Sequence, residues 1–156
     1  MRRPSAQFLL PFISQERTLN SASLSSQKRV FEVLSNLLQN NQEKVSSDLI
    51  YQKLFERERI GSTMIGQGIV IPHCRIDKLS ITRLAIVTLT APITYDGNLQ
   101  TADIFIAAIF PQDVQNIHIL FMSRLVKFLK SQGKVDQIRQ AASNEALYQA
   151  FTEHYA

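Results

Sequence analysis

The stretch Arg57-Glu58-Arg59-Ile60-Gly61-Ser62-Thr63-Met64-Ile65-Gly66-Gln67-Gly68-Ile69-Val70-Ile71-Pro72-His73 gathers a guanidinium, two hydroxyls, a glycine-rich loop and an imidazole in one short segment. A neutral imidazole near pH 7 is a competent nucleophile. Backbone N–H groups of a glycine turn, backed by a guanidinium, suit an anion. The chemistry these residues favour together is phosphate on histidine. A phosphoryl group in transit spreads charge over three equatorial oxygens, so a protein serves it mainly by positioning donors. On that chemistry His73 is the nucleophile and Arg57 a charge contact. Ser62 and Thr63 are neutral donors, and the N–H groups around Gly66 and Gly68 form an anion cradle. Ser62 and Thr63 serve equally well as turn formers through local bonds, and Arg57 as a cation at a helix end.

Pro72 has no N–H to continue a ladder and biases Ile71 towards extended geometry. His73 is therefore expected at a strand edge, outside the middle of the core. Cys74 next to it points to the opposite face of an extended segment, so the two do not form a nucleophile and base pair. Three histidines and one cysteine lack any metal-ligand spacing, and neither a nucleophile elbow nor a Gly-Lys-Ser/Thr phosphate loop is present. No metal and no cofactor is expected.

The elements that must hold this stretch read as follows. Val30, Val33, Leu34, Leu37 and Leu38 recur at helical spacing from Ser26 to about Gln42, with Ser25 or Ser26 as cap. Ser46-Ser47-Asp48 opens a second helix through Leu49, Ile50, Leu54 and Phe55, which Gly61 stops, so Arg57 lies in its last turn. Three β-type segments follow, at Gly68 to Ile71, Ile81 to Thr90 and Asp103 to Phe110, separated by turns at Ala91-Pro92 and Asp96-Gly97-Asn98. A helix from about Asp113 to Lys130 is expected to bury Ile117, Leu120, Phe121, Leu125 and Phe128. Gly133 ends it and one or two further helices follow, with Ser143 or Asn144 capping the segment through Leu147, Tyr148 and Phe151, and His154 beyond is expected at the surface. Helices, then strands, then helices predict an α/β fold: a three-layer domain with a central mixed β-sheet flanked by helices on both faces, one unit over 1–156.

At 156 residues, 45% apolar and 19% charged, the chain has the makeup of a globular protein. No apolar run approaches the roughly 20 residues of a membrane span. The apolar stretch near the start is short, holds Pro11 and lacks a cleavage site, so it does not read as a signal peptide. The lone Cys74 agrees with a reducing, cytoplasmic setting. A net charge of +4 is spread in ones and twos among acidic residues, without any recognition-helix or zinc signature, so nucleic-acid binding is not expected.

On Arg57 and on Gly61 through His73, the chain resembles the type-2 enzyme IIA domain of the bacterial phosphoenolpyruvate phosphotransferase system, the fructose and mannitol class. It looks most like the stand-alone nitrogen-regulatory members. Ser26 to Arg29, Ala91-Pro92-Ile93 before Asp96, and Pro111 before the His118 helix extend the likeness over nearly the whole chain. The resemblance implies a phosphocarrier. His73 would accept a phosphoryl group from the phosphohistidine of an HPr-type protein, with His118 on a later helix and Arg57 stabilising it. The loaded form would regulate partner proteins. Two other roles stay open: the IIA subunit of a fructose- or mannitol-type permease passing phosphate to a IIB domain, and a binding-only regulator. Cys74 stands where glycine is usual in the family and Met64 where a small or polar residue is, which bears on partner choice.

Overall fold

The computed structural model describes residues 7–97, 99–113 and 116–152. His154, Asn98 and part of the approach to the His118 helix lie outside the described residues. A short 3-10 turn at Gln7–Phe12 precedes β1 (Thr18–Ala22), α1 (Gln27–Leu38) and α2 (Ser47–Ile60). Three short strands follow, β2 (Met64–Gly66), β3 (Ile69–Val70) and β4 (His73–Ile76), and then a long pair, β5 (Arg83–Tyr95) and β6 (Gln100–Pro111). Helices α3 (Ile117–Leu129), α4 (Lys134–Gln140) and α5 (Asn144–Ala150) complete the order.

The sheet is mixed and six-stranded, in the order β1-β5-β6-β3-β2, with β4 also on β6. β3 and β4 run parallel to β6 in one register, Ile69 opposite Ile104 and His73 opposite Ala108. Pro72 interrupts them, and its carbonyl accepts from the Ala108 N–H at 2.9 Å. The proline that was expected to end a strand therefore separates two strands of one line, and His73 opens the second. β4 pairs with β6 alone among the described strands, so His73 stands at an edge.

The pleat sends alternate side chains to two cores. Ile104, Ile106, Ala108 and Phe110 of β6 meet Phe121, Leu125, Phe128 and Phe151 on the α3–α5 side. Phe105, Ala107 and Ile109 meet Val30, Phe31, Leu34 and Leu54 of α1 and α2. The result is the expected three-layer arrangement, a mixed sheet between two layers of helices. Serine caps begin three of the helices: Ser26, Ser46 and Ser143 accept from the N–H groups of Arg29, Leu49 and Ala146.

Several expectations need correction. Ala91-Pro92 is no turn but part of β5, at an irregularity between Thr88 and Ile93 where the ladder tolerates a residue without an N–H. The other expected turn holds, with reversal at Asp96 and Gly97, both with positive φ. β1 was not anticipated, because Thr18-Leu19-Asn20-Ser21-Ala22 has no apolar alternation. On α3, Ile117 (68%) and Leu120 (66%) are exposed although they were expected to be buried. Leu120 lies about 100° around the helix from Phe121, and Ile117 opens the first turn ahead of the buried stripe.

Candidate functional site

Three elements converge on His73. The end of α2 contributes Lys53, Glu56, Arg57 and Ile60, β4 contributes His73, Cys74 and Arg75, and the first turn of α3 contributes His118. They line an open depression of about 340 Å³. Arg57, His73 and His118, far apart in sequence, are thus brought together. With Lys53, Arg57 and Arg75 against the single carboxylate of Glu56, the depression is net cationic.

His73 is half-buried, and Nδ1 lies 2.8 Å from the Ile71 carbonyl oxygen. A carbonyl can only accept, so Nδ1 carries the proton and donates it. Nε2 is left with the lone pair. Burial lowers the His73 pKa from the usual 6.5; the Ile71 bond opposes this, Arg57 lowers it further, Glu58 raises it and His118 lowers it. The ring is neutral and nucleophilic at pH 7. Because the unfolded chain binds this proton more readily, His73 costs stability as pH falls through about 6.5. The cost is complete below the folded-state value. Phosphate acceptance is expected to stay level down to pH 6.5 and to fall only in more acid solution. Initial labelling rates across pH test this, and a midpoint at or above 6.5 contradicts it.

The loop before His73 divides into two ends that face different ways. Ile71 N–H donates to Thr63 O at 3.1 Å, while β2 and β3 pair antiparallel with Gly66 opposite Ile69. Gln67 and Gly68 form the tight turn, with φ of 57° and 79°. Gly61 to Thr63 therefore lies beside His73, and Gly66 to Gly68 sits at the far end of the hairpin. Four residues separate Gly68 from His73, and the five extended steps span roughly 16 Å of chain. Gly66 and Gly68, expected as a phosphate cradle, are not brought to the imidazole.

A different constraint requires glycine at 68. Arg139 of α4 holds Asp103 through two bonds, Nε to Oδ2 at 2.9 Å and Nη2 to Oδ1 at 2.8 Å, and Nη2 also donates to Gln67 O. A Cβ on Gly68 would come within 2.7 Å of both Arg139 Nη2 and Asp103 Oδ1. A Gly68→Ala substitution adds strain at positive φ and is expected to lower stability by about 1–3 kcal/mol, measured by urea unfolding. A loss under about 0.5 kcal/mol would show that the ion pair gives way freely.

Ser62 and Thr63 also differ. Ser62 is exposed, and its oxygen accepts from Met64 N–H at 3.2 Å. Thr63 is buried, donating its hydroxyl to Glu58 Oε1 at 2.7 Å and its N–H to Oε2 at 2.9 Å. The Tyr95 hydroxyl bonds the same carboxylate, and burial with that negative charge raises its pKa. Arg57 Nη1 donates to Gly61 O at 2.9 Å, closing the end of α2. Burial pushes the Cys74 thiol up to about 12, so it stays protonated on the α1–α2 side of the strand.

Sequence reasoning missed Glu58 and Arg75. Glu58 fixes Thr63, Thr63 O fixes Ile71, and Ile71 O fixes the His73 tautomer, a relay of three short links. Arg75 was readable as the residue two along from His73 on one strand face. Reading Pro72 as an end to the strand hid it.

Comparisons with known proteins agree along the chain. Residues 11–154 match the family described as "Phosphoenolpyruvate-dependent sugar phosphotransferase system, EIIA 2". A "Nitrogen regulatory protein" of Klebsiella oxytoca is 32% identical, over 96% of this chain and 93% of the relative. Another from Pseudomonas aeruginosa is 31% identical over 85% and 87%. A mannitol-specific IIA component of Staphylococcus aureus is 26% identical over 90% and 94%. The crystal structure of nitrogen regulatory protein IIA-Ntr from Neisseria meningitidis shares the fold with a TM-score of 0.85 at 21% identity, covering 93% of this chain and 99% of that one. No described helix is long and apolar enough to cross a membrane. Matched from the N-terminal 3-10 turn to beyond α5, the chain belongs to the EIIA 2 family of the phosphoenolpyruvate-dependent sugar phosphotransferase system.

Proposed function

We propose that this protein is a phosphocarrier of the nitrogen-regulatory kind, loaded at Nε2 of His73 by the phosphohistidine of an HPr-type protein. The observation that carries this reading is the Nδ1 bond to Ile71 O, which leaves Nε2 as the nucleophile inside a cationic depression. In the transfer the donor's P–N bond breaks as the Nε2–P bond forms. The donor ring, protonated on its other nitrogen, keeps the electron pair of the broken bond and leaves as neutral imidazole. His73 retains its Nδ1 proton, and the Ile71 carbonyl faces the positive character of the loaded ring. Arg57 and His118 complement the transferring oxygens, and the exposed Ser62 is the hydroxyl suited to join them. Thr63 acts behind the site, through Glu58.

A protein donor is favoured over a small one by the surface beside the depression. Ile117, Ile119 and Leu120 of α3 and Ile60 of α2 are exposed, and Phe8, Phe12 and Phe110 line an adjoining groove that His118 also borders. Apolar side chains clustered at a site rim are the mark of a docking face. Regulation of partners follows the nitrogen regulatory relatives, and adding about −1.5 to −2 charges to a cationic depression changes what it attracts.

Incubation with phosphoenolpyruvate, enzyme I and an HPr-type protein is expected to place one acid-labile, base-stable phosphate on the chain. No labelling of the wild type would overturn the reading. The mannitol-specific relative keeps a second reading in view, transfer to a IIB domain with the same chemistry. Rapid discharge of the labelled protein to a sugar-specific IIB would favour that one.

A further inference from the structure

Arg75 occupies a place in the depression that the proposed mechanism leaves without a role. On β4 it lies two residues from His73, on the same face and about 7 Å along the strand, while Cys74 between them packs towards the α1–α2 core. Its Nη2 is 3.2 Å from both ring nitrogens of His118. An in-plane approach equidistant from the two nitrogens would drive Nη2 into the Cε1–H between them. Nη2 therefore lies over the face of the imidazole with an N–H aimed at the ring. It holds the ring without using a hydrogen-bonding direction in the ring's plane. Phe110, whose backbone is opposite Arg75 in the sheet, contacts the same ring with centroids 5.7 Å apart. Arg75 and Phe110 thus both bear on the orientation of this side chain in the first turn of α3.

We propose that Arg75 is a positioning residue for His118, donating to the face of the imidazole so that its ring plane meets the phosphoryl oxygens on His73. This rests on the phosphocarrier reading above. Arg57, by contrast, spends one guanidinium arm on Gly61 O at the end of α2. Two arginines thus have separable tasks: Arg57 shapes the loop and the local charge at His73, and Arg75 aims the second histidine. The requirement on Arg75 is a fixed donor as well as charge. Lysine carries the same charge on a flexible stem, without the rigid fork of a guanidinium.

The experiment measures initial rates of His73 phosphorylation for wild type, R75Q, R75K, H118A and R75Q/H118A, each checked for an unchanged fold by circular dichroism. Two donors are used, an HPr-type protein and phosphoramidate. With the small donor, ammonia leaves carrying the P–N electron pair and a proton from water, so no protein docking enters the rate. R75Q is expected to be about 10- to 100-fold slower with both donors, the worth of one charge-assisted hydrogen bond, and R75K to recover only part of that. The double variant should be no slower than the worse single, because Arg75 acts through His118. Multiplying losses in the double variant would overturn the proposal, as would R75Q at the wild-type rate or full recovery by R75K. A defect seen with the protein donor alone would also overturn it, assigning Arg75 to docking. If neither donor labels the wild type, the phosphocarrier reading falls, and the role of Arg75 with it. If the wild type is labelled and R75Q equals it, only the role of Arg75 falls.

Discussion

A His73→Ala chain is expected to take up no acid-labile phosphate, with labelling lower by at least about 10³-fold, as for the loss of a covalent nucleophile. The expectation follows from how much of the site serves this one ring. Its Nδ1 proton is held by Ile71 O, its lone pair opens on the depression, and burial and Arg57 keep it neutral. No second side chain in the depression has that combination. Stability should change little, because the half-buried ring makes one neutral hydrogen bond, worth about 1 kcal/mol. Phosphate uptake and melting temperature measured on the same preparation separate chemistry from folding. Undiminished labelling of the variant would remove His73 from the mechanism.

Removing Glu58 should do the reverse, with a large effect on stability and a secondary one on transfer. Its carboxylate accepts from the N–H and hydroxyl of Thr63 and from the hydroxyl of Tyr95, and Glu58 is only 9% exposed. In Glu58→Ala three donors lose their acceptor in a region closed to solvent. Allowing roughly 1 kcal/mol or more for each, the loss is about 2–4 kcal/mol. The damage should then pass along the relay. Thr63 O loosens its hold on Ile71 N–H, and Ile71 O no longer fixes one tautomer of His73. Transfer is expected to slow by about tenfold at a temperature where the variant is still folded. Urea unfolding gives the first quantity and single-turnover labelling the second. A variant as stable as wild type would mean that water or another acceptor replaces the carboxylate.

Much of this architecture could be read from residue types. Ser25 or Ser26, the Ser46-Ser47-Asp48 run and Ser143 or Asn144 announced their helices, and β6 announced itself as an apolar run covered on both faces. Arg57 at a helix end and His73 beside Pro72 were both found where their neighbours implied. What escaped was set by pairing between distant segments. The hairpin reversal at Gln67-Gly68 decides which residues of the loop lie near the histidine, and nothing local distinguishes its near end from its far end. Gly68 looked like an anion cradle because glycine allows close approach of any group; what approaches it is the Arg139 and Asp103 pair, contributed from 36 residues apart. β1 was invisible because a polar edge strand needs no apolar alternation. Glu58 looked like an ordinary charged residue of a helix end until Thr63 and Tyr95 closed over it.

The unbroken alignment of β3 and β4 along β6 also has a kinetic meaning. Val70 and His73 are held by ladder contacts on either side of Ile71 and Pro72, and the strand they follow is buried along most of its length. On the proposed function, the ring is thus held in its receiving geometry before a donor arrives, and loading is expected to need little rearrangement. The direction of flow would then be left to the supply of loaded donor on one side and empty acceptor on the other.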